Sequence, residues 1–151
     1  NTSDDVSKLW EKVKQNEKDG NKTVLSGVPA SLPSLIKAYR IQDKARNVGF
    51  DWDKREDVWI KVYEEIEELK AEMDKGDKER ALEELGDFIF AIVNAARLYK
   101  LNPDTALELT NQKFMKRFGY IEQTAKANGK SLDDMSLKEM DILWNEAKHL
   151  L

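Results

Sequence analysis

Cysteine is missing altogether, and histidine occurs once, as His149 close to the end. The first absence excludes disulfides, zinc thiolate sites and a cysteine nucleophile. The second rules against a histidine triad and against a di-iron bundle, which needs Glu-x-x-His on two helices. Only three prolines and seven glycines interrupt the 151 residues, so long helices meet few breakers. Neither a G-x-G-x-x-G nor a G-x-x-x-x-G-K phosphate loop occurs. No apolar run approaches the roughly 20 residues of a membrane span, and the start has no signal-peptide pattern. The expectation is a cytoplasmic protein with no membrane partner. A net charge of −4 argues against a general nucleic-acid binder.

What is present favours helix everywhere. Glu, Lys, Leu and Ala are plentiful, 40% of residues are hydrophobic and 36% are charged. Strand patterns of useful length and internal repeats are both lacking. The expected fold is an all-α helical bundle. Val6, Leu9, Trp10 and Val13 make a first apolar stripe behind the cap candidates Ser3 and Asp4, with the helix running to about Glu17. Lys18 to Pro29 is polar and reads as a linker. A second stripe from Leu32 through Leu35, Ala38, Ile41, Gln42, Ala45 and Val48 carries a helix ending near Asn47 to Gly49. Gln42 on that face is either a core amide or a group that reads a base. Asp53 with Glu56 has the spacing of a capping box for a third helix.

The chemistry concentrates between Glu64 and Asp87. Glu65 and Glu68 stand three apart, as do Glu84 and Asp87, so at about 3.6 residues per turn each pair shares a helix face. Gly76 divides the stretch. Glu68 lies eight residues before it and Glu84 eight after, while Glu65 and Asp87 lie eleven before and eleven after. An antiparallel hairpin bent at Gly76 therefore brings the two carboxylate pairs level. In the first arm Trp59, Val62, Ile66, Leu69 and Met73 form the apolar stripe that Glu65 borders. In the second, which Asp77 is placed to cap, Phe88 to Val93 with Ala95 and Ala96 leave almost no solvated side, which predicts a buried helix. Four carboxylates at the mouth of such a hairpin repel one another and tend to take up protons unless a cation sits between them. A hard divalent ion with oxygen ligands, above all Mg²⁺ with Mn²⁺ as a substitute, is the expected cofactor.

Further along, Asn102 and Pro103 mark the start of a fifth helix with an expected buried stripe of Leu107, Thr110, Phe114, Phe118, Ile121 and Ala125, ended by Asn128 and Gly129. Lys113 and Arg117, four apart, form either an exposed basic edge or two cations aimed at phosphates. Ser136 and Glu139 have capping-box spacing for a last helix facing inward through Leu137, Met140, Trp144, Ala147 and Leu151. Trp144 is core, or offers its indole face to a nucleobase. The apolar hairpin exceeds what the remaining short helices can cover, which predicts a homodimer. Carboxylates, a hard metal, cationic side chains and no nucleophilic Cys or His together indicate metal-assisted hydrolysis of a phosphoanhydride.

Glu64-Glu65-Ile66-Glu67-Glu68 followed by Glu84-Leu85-Gly86-Asp87 resembles the EExxE and ExxD signature of the MazG family, nucleoside triphosphate pyrophosphohydrolases of the all-α NTP pyrophosphatase superfamily. The likeness takes in Val28 to Pro33, Lys44 to Trp52, Asn111 to Phe114 and Arg117-Phe118. It implies Mg²⁺-dependent hydrolysis of nucleoside triphosphates to monophosphate and pyrophosphate, with house-cleaning of noncanonical nucleotides as one role. It also implies that Glu65, Glu68, Glu84 and Asp87 are catalytic metal ligands, that Arg80, Lys113 and Arg117 meet phosphates, and that Trp144 lies near the nucleotide. An alternative enzyme reading keeps the fold and takes dUTP, another dNTP or phosphoribosyl-ATP as the substrate. A helical interaction module that only binds a cation is the non-enzymatic alternative. Many MazG proteins carry two tandem copies. This chain resembles the C-terminal one, with a helix-and-linker arm over 1–27 and a catalytic helical domain over 28–151.

Overall fold

The computed structural model describes residues 2–19 and 23–151. Among them are six α-helices and no strand. The helices are α1 (Ser3–Asp19), α2 (Ser34–Asn47), α3 (Val58–Lys75), α4 (Lys78–Leu98), α5 (Pro103–Ala127) and α6 (Leu137–Leu150), with short 3-10 turns at Arg55–Asp57 and Leu132–Asp134. No helix among the described residues is long and apolar enough to cross a membrane. The chain divides into two compact units, Asn1–Asp104 and Thr105–Leu151.

The first unit is built on the α3–α4 hairpin. Gly76 closes α3 in the left-handed region at φ 76°, a conformation that costs any residue with a Cβ about 1–2 kcal/mol. Its N–H bonds the Met73 carbonyl, and Asp77 then caps α4 by accepting from the Arg80 N–H at 3.2 Å. Two short side chains, Ala91 and Ala95, lie buried against Val58 and Val62, with Ile66, Phe88, Leu98 and Tyr99 packed around them. Small residues on α4 let the helix axes approach, and that close seam fixes the register of the acids above it. Trp59 Nε1 donates to the Tyr99 hydroxyl at 3.2 Å, tying the start of α3 to the end of α4. Helix α2 joins the hairpin through Gln42, whose Nε2 donates to the Phe90 carbonyl at 3.0 Å. Helix α1 is held to α2 by polar bonds: Glu11 accepts from Lys44 at 2.8 Å and from Asn47 at 2.7 Å.

Several sequence expectations change here. Thr2 caps α1, in place of Ser3 or Asp4, through reciprocal 3.3 Å bonds with Asp5. The box expected of Asp53 and Glu56 does not open α3. A 3-10 turn intervenes, and neither Lys54 before it nor Asp57 at the helix start makes a side-chain cap. Residues 20–22 of the expected linker lie outside the described residues, while residues 23–33 run through successive turns. Helix α4 is also less buried within this chain than its composition suggests. Ile89, Phe90 and Ile92 keep 45%, 44% and 38% of their surface, because α2 and α3 together cover only part of its circumference.

In the second unit, Ile121 and Ala125 of α5 and Ala147 of α6 are buried. The predicted α5 stripe is buried only toward its C-terminal half, and Leu107 and Phe114 remain exposed. Ser136 and Glu139 form the full capping box at the start of α6, and Lys130 pairs with Glu139 at 2.9 Å.

Candidate active site

Glu65 follows Val62 by three residues on α3, so the packing that buries Val62 also turns Glu65 inward. It is 3% exposed. One of its oxygens, Oε1, receives the Lys61 ammonium at 2.8 Å. The other, Oε2, is buried with no hydrogen-bond partner, and so is Oε2 of Glu84 on the facing helix. A buried carboxylate oxygen without a donor is costly, and here two of them belong to one cluster. Glu65, Glu84 and Asp87 each bring one oxygen into a group whose members all lie within 4.8 Å of one another. Burial falls from Glu65 through Glu84 to Asp87, so the group is anchored inside and open at one side.

Glu68 is exposed and stands outside the three-oxygen group, yet it is a neighbour of Glu84. The Glu84 carboxyl is raised above the ordinary carboxylate value, first by burial, then by hydrogen bonding to Glu68, then by the charges of Glu68, Asp87 and Glu65. Lys61 is also raised, chiefly by its hydrogen bond to Glu65, against an opposing effect of burial. One ammonium against four carboxylates leaves a negative surplus. Unpartnered oxygens, an all-carboxylate donor set and that surplus fit a hard divalent cation.

Beside the acids lies a cavity of about 700 Å³. Lys61, Glu65 and Asp87 form part of its lining, and Ile41, Phe50, Trp52, Phe90 and Ala91 supply apolar wall. Its floor contains a polar cluster that sequence reasoning did not single out. Arg97, 7% exposed, forms a forked pair with Asp51 at 2.6 and 3.3 Å and donates twice to Asn94 Oδ1, at 3.1 and 2.8 Å. This pair fastens the Phe50-Asp51-Trp52 segment to α4. An Asn and an Arg three apart on the otherwise apolar second half of α4 were the available signal.

Arg80 lies one turn before Glu84, with its side chain 70% exposed and a loose 3.8 Å pair to Asp77. Lys113, Arg117 and Trp144 belong to the second unit. There the Arg117 guanidinium sits over the Trp144 ring, 5.4 Å from its centroid, and Phe114 tilts against the same indole at 5.3 Å. Lys113 is exposed.

Residues 55–120, which hold the hairpin and both acidic pairs, match the MazG nucleotide pyrophosphohydrolase domain. The chain carries a MazG domain. It is 50% identical over 146 residues to the uncharacterized protein YabN of Bacillus subtilis (strain 168), covering 95% of this chain and 30% of that one. It is 37% identical over 150 residues to the nucleoside triphosphate pyrophosphohydrolase of Escherichia coli (strain K12), covering 97% of this chain and 57% of the relative. The nucleoside triphosphate pyrophosphohydrolase/pyrophosphatase MazG of Thermotoga maritima is 37% identical over 142 residues, 93% of this chain and 54% of its own. The chain thus spans between about a third and somewhat over half of these curated relatives.

Proposed function

We propose that this MazG chain hydrolyses nucleoside triphosphates to nucleoside monophosphate and pyrophosphate, in the cytoplasm and with Mg²⁺. The carrying observation is the pair of buried, unpartnered carboxylate oxygens on Glu65 and Glu84, in an acidic group whose Glu65 and Asp87 line a cavity large enough for a nucleoside. Glu65, Glu84 and Asp87 would hold the cation, with Glu68 beside them. When bound, a divalent ion there supplies charge neutralisation at phosphate oxygens and makes a bound water more acidic.

The chain's own residues do the rest. Lys61 presents an ammonium to the phosphate chain at the acidic end of the cavity. Arg80, largely solvated, reaches phosphate oxygens from the first turn of α4. Glu68, outside the three-oxygen group, takes a proton at its carboxylate from the attacking water. Phe50, Trp52 and Phe90 wall off the nucleoside from solvent. Lys113, Arg117 and Trp144 keep the substrate-binding roles that the family pattern gives them, each tested by the KM of its alanine variant. The exposed apolar side chains of α4 support a homodimer, which sedimentation velocity tests directly.

Activity is tested by pyrophosphate release from a panel of NTPs and dNTPs with Mg²⁺. Turnover should vanish with EDTA and fall at least a hundredfold in Glu68→Gln and Glu84→Gln, a loss of about 2.7 kcal/mol in transition-state stabilisation. Cation binding without any released pyrophosphate would instead identify a non-enzymatic module.

A further inference from the structure

Gln42 is a buried polar side chain left half-used by the fold. It is 6% exposed, and its Nε2 donates to the Phe90 carbonyl at 3.0 Å. A backbone carbonyl can only accept, so the NH₂ end of the amide must face it, and the orientation of the whole group follows. The other end, Oε1, is buried and has no hydrogen-bond partner. Gln42 also lines the cavity beside the acids, together with Ile41, Trp52, Phe90 and Ala91. The result is one fixed acceptor in an apolar, aromatic wall. Its bond to Phe90 sets its position, because Phe90 follows Asp87 by three residues, about 4.5 Å of helix rise. The acceptor therefore lies about a turn along α4 from Asp87.

We propose that Gln42 reads the nucleobase: its free carbonyl accepts a hydrogen bond from a ring or exocyclic N–H. The site then favours triphosphates whose base carries such a donor and rejects those whose base has none. This rests on the reading of the acids as the triphosphate end of a nucleotide site. A base with no N–H that covers Oε1 strands a buried acceptor, and that penalty exceeds the modest gain from an ordinary hydrogen bond. The flat walls supplied by Trp52 and Phe90 suit an aromatic ring better than a sugar.

The test compares kcat/KM for bases that differ only in the donor edge. Purine riboside triphosphate and pyrimidin-2-one riboside triphosphate carry no base N–H; ATP, ITP, CTP and UTP are their N–H-bearing counterparts. With the unmodified protein and Mg²⁺, the best N–H-bearing member of a pair should exceed its analogue by about tenfold or more. In Gln42→Met, which keeps the volume and removes the amide, that ratio should fall to about one. Should this variant not fold by circular dichroism, Gln42→Asn withdraws the acceptor while keeping the amide, and the ratio should drop there too. A ratio below about ten in the unmodified protein overturns the proposal, as does a large ratio that survives substitution of Gln42. Sensitivity to loss of the 2′-hydroxyl alone would assign the acceptor to the sugar and also overturns it. If no triphosphate is turned over, the hydrolase reading itself fails, an outcome distinct from equal turnover of the paired bases.

Discussion

Asp87→Asn separates a metal ligand from a structural acid, because the two roles predict opposite changes in stability. Asp87 is exposed and contributes an oxygen to a group that also contains Glu65 and Glu84, all within 4.8 Å. Like charges at that separation repel by about 1 kcal/mol even at the dielectric of water. Removing one should therefore stabilise the metal-free protein by about 1 kcal/mol, and the Glu84 carboxyl should relax toward its ordinary value, since the Asp87 charge helps to raise it. With Mg²⁺ the sign reverses. At a hundred times its dissociation constant a ligand stabilises the native state by about 2.7 kcal/mol. Losing a direct ligand should weaken affinity at least as much as the ten- to hundredfold that losing an outer-shell partner costs. A hundredfold loss leaves only about 0.4 kcal/mol of stabilisation at the same ion concentration. Urea or thermal unfolding of both proteins, with Mg²⁺ and with EDTA, reads the two numbers together. A variant that is less stable in EDTA, or that keeps the full Mg²⁺ response, would refute the assignment.

Three further substitutions probe the frame around the site. Gly76→Ala meets nothing within 4 Å, so its cost is backbone strain alone, about 1–2 kcal/mol by denaturant unfolding, and Gly76→Asn should cost less. Asp51→Asn breaks the forked pair to buried Arg97 and should destabilise by about 3 kcal/mol, with a raised KM for any triphosphate that uses the Trp52 wall. Glu139 is held below the ordinary carboxylate value of 4.5, first by the Lys130 ammonium and then by the Ser136 N–H. A depressed acid stabilises the folded state above its unfolded value and loses that contribution as pH falls through the lowered one. The stability gap between the parent and Glu139→Gln should accordingly be constant above about pH 5 and close at lower pH, which thermal unfolding across pH 3 to 7 would reveal.

Short-range chemistry accounts for what could be read without coordinates. The helical class, the Gly76 bend, the Asp77 cap, the Asn102-Pro103 start and the Ser136–Glu139 box depend on residues within four positions of each other. So does the pairing of Glu65 with Glu68 and of Glu84 with Asp87. Once a bend at Gly76 is granted, counting outward from it suffices to put the two acidic pairs opposite each other. Even the cap of α3 failed for a local reason, since a 3-10 turn displaced the helix start beyond the Asp53 box.

Burial and polar satisfaction are different, because they depend on partners distant in sequence. The apolar stripe of α3 puts Glu65 at its border, but that one of its oxygens is sealed from water without a partner follows only once Val58 and Val62 pack on Ala91 and Ala95. Arg97 looks like a C-terminal helix cation until Asp51, 46 positions away, accepts its fork. Gln42 stays ambiguous between core amide and recognition group until the Phe90 carbonyl, 48 positions away, claims one end of it. The sequence by itself determined which elements form and where carboxylates recur, because those follow from steric and hydrogen-bonding preferences of neighbouring residues. Tertiary packing alone decided which polar atoms are sealed from water without a partner, since desolvation is a property of the surroundings and not of the chain.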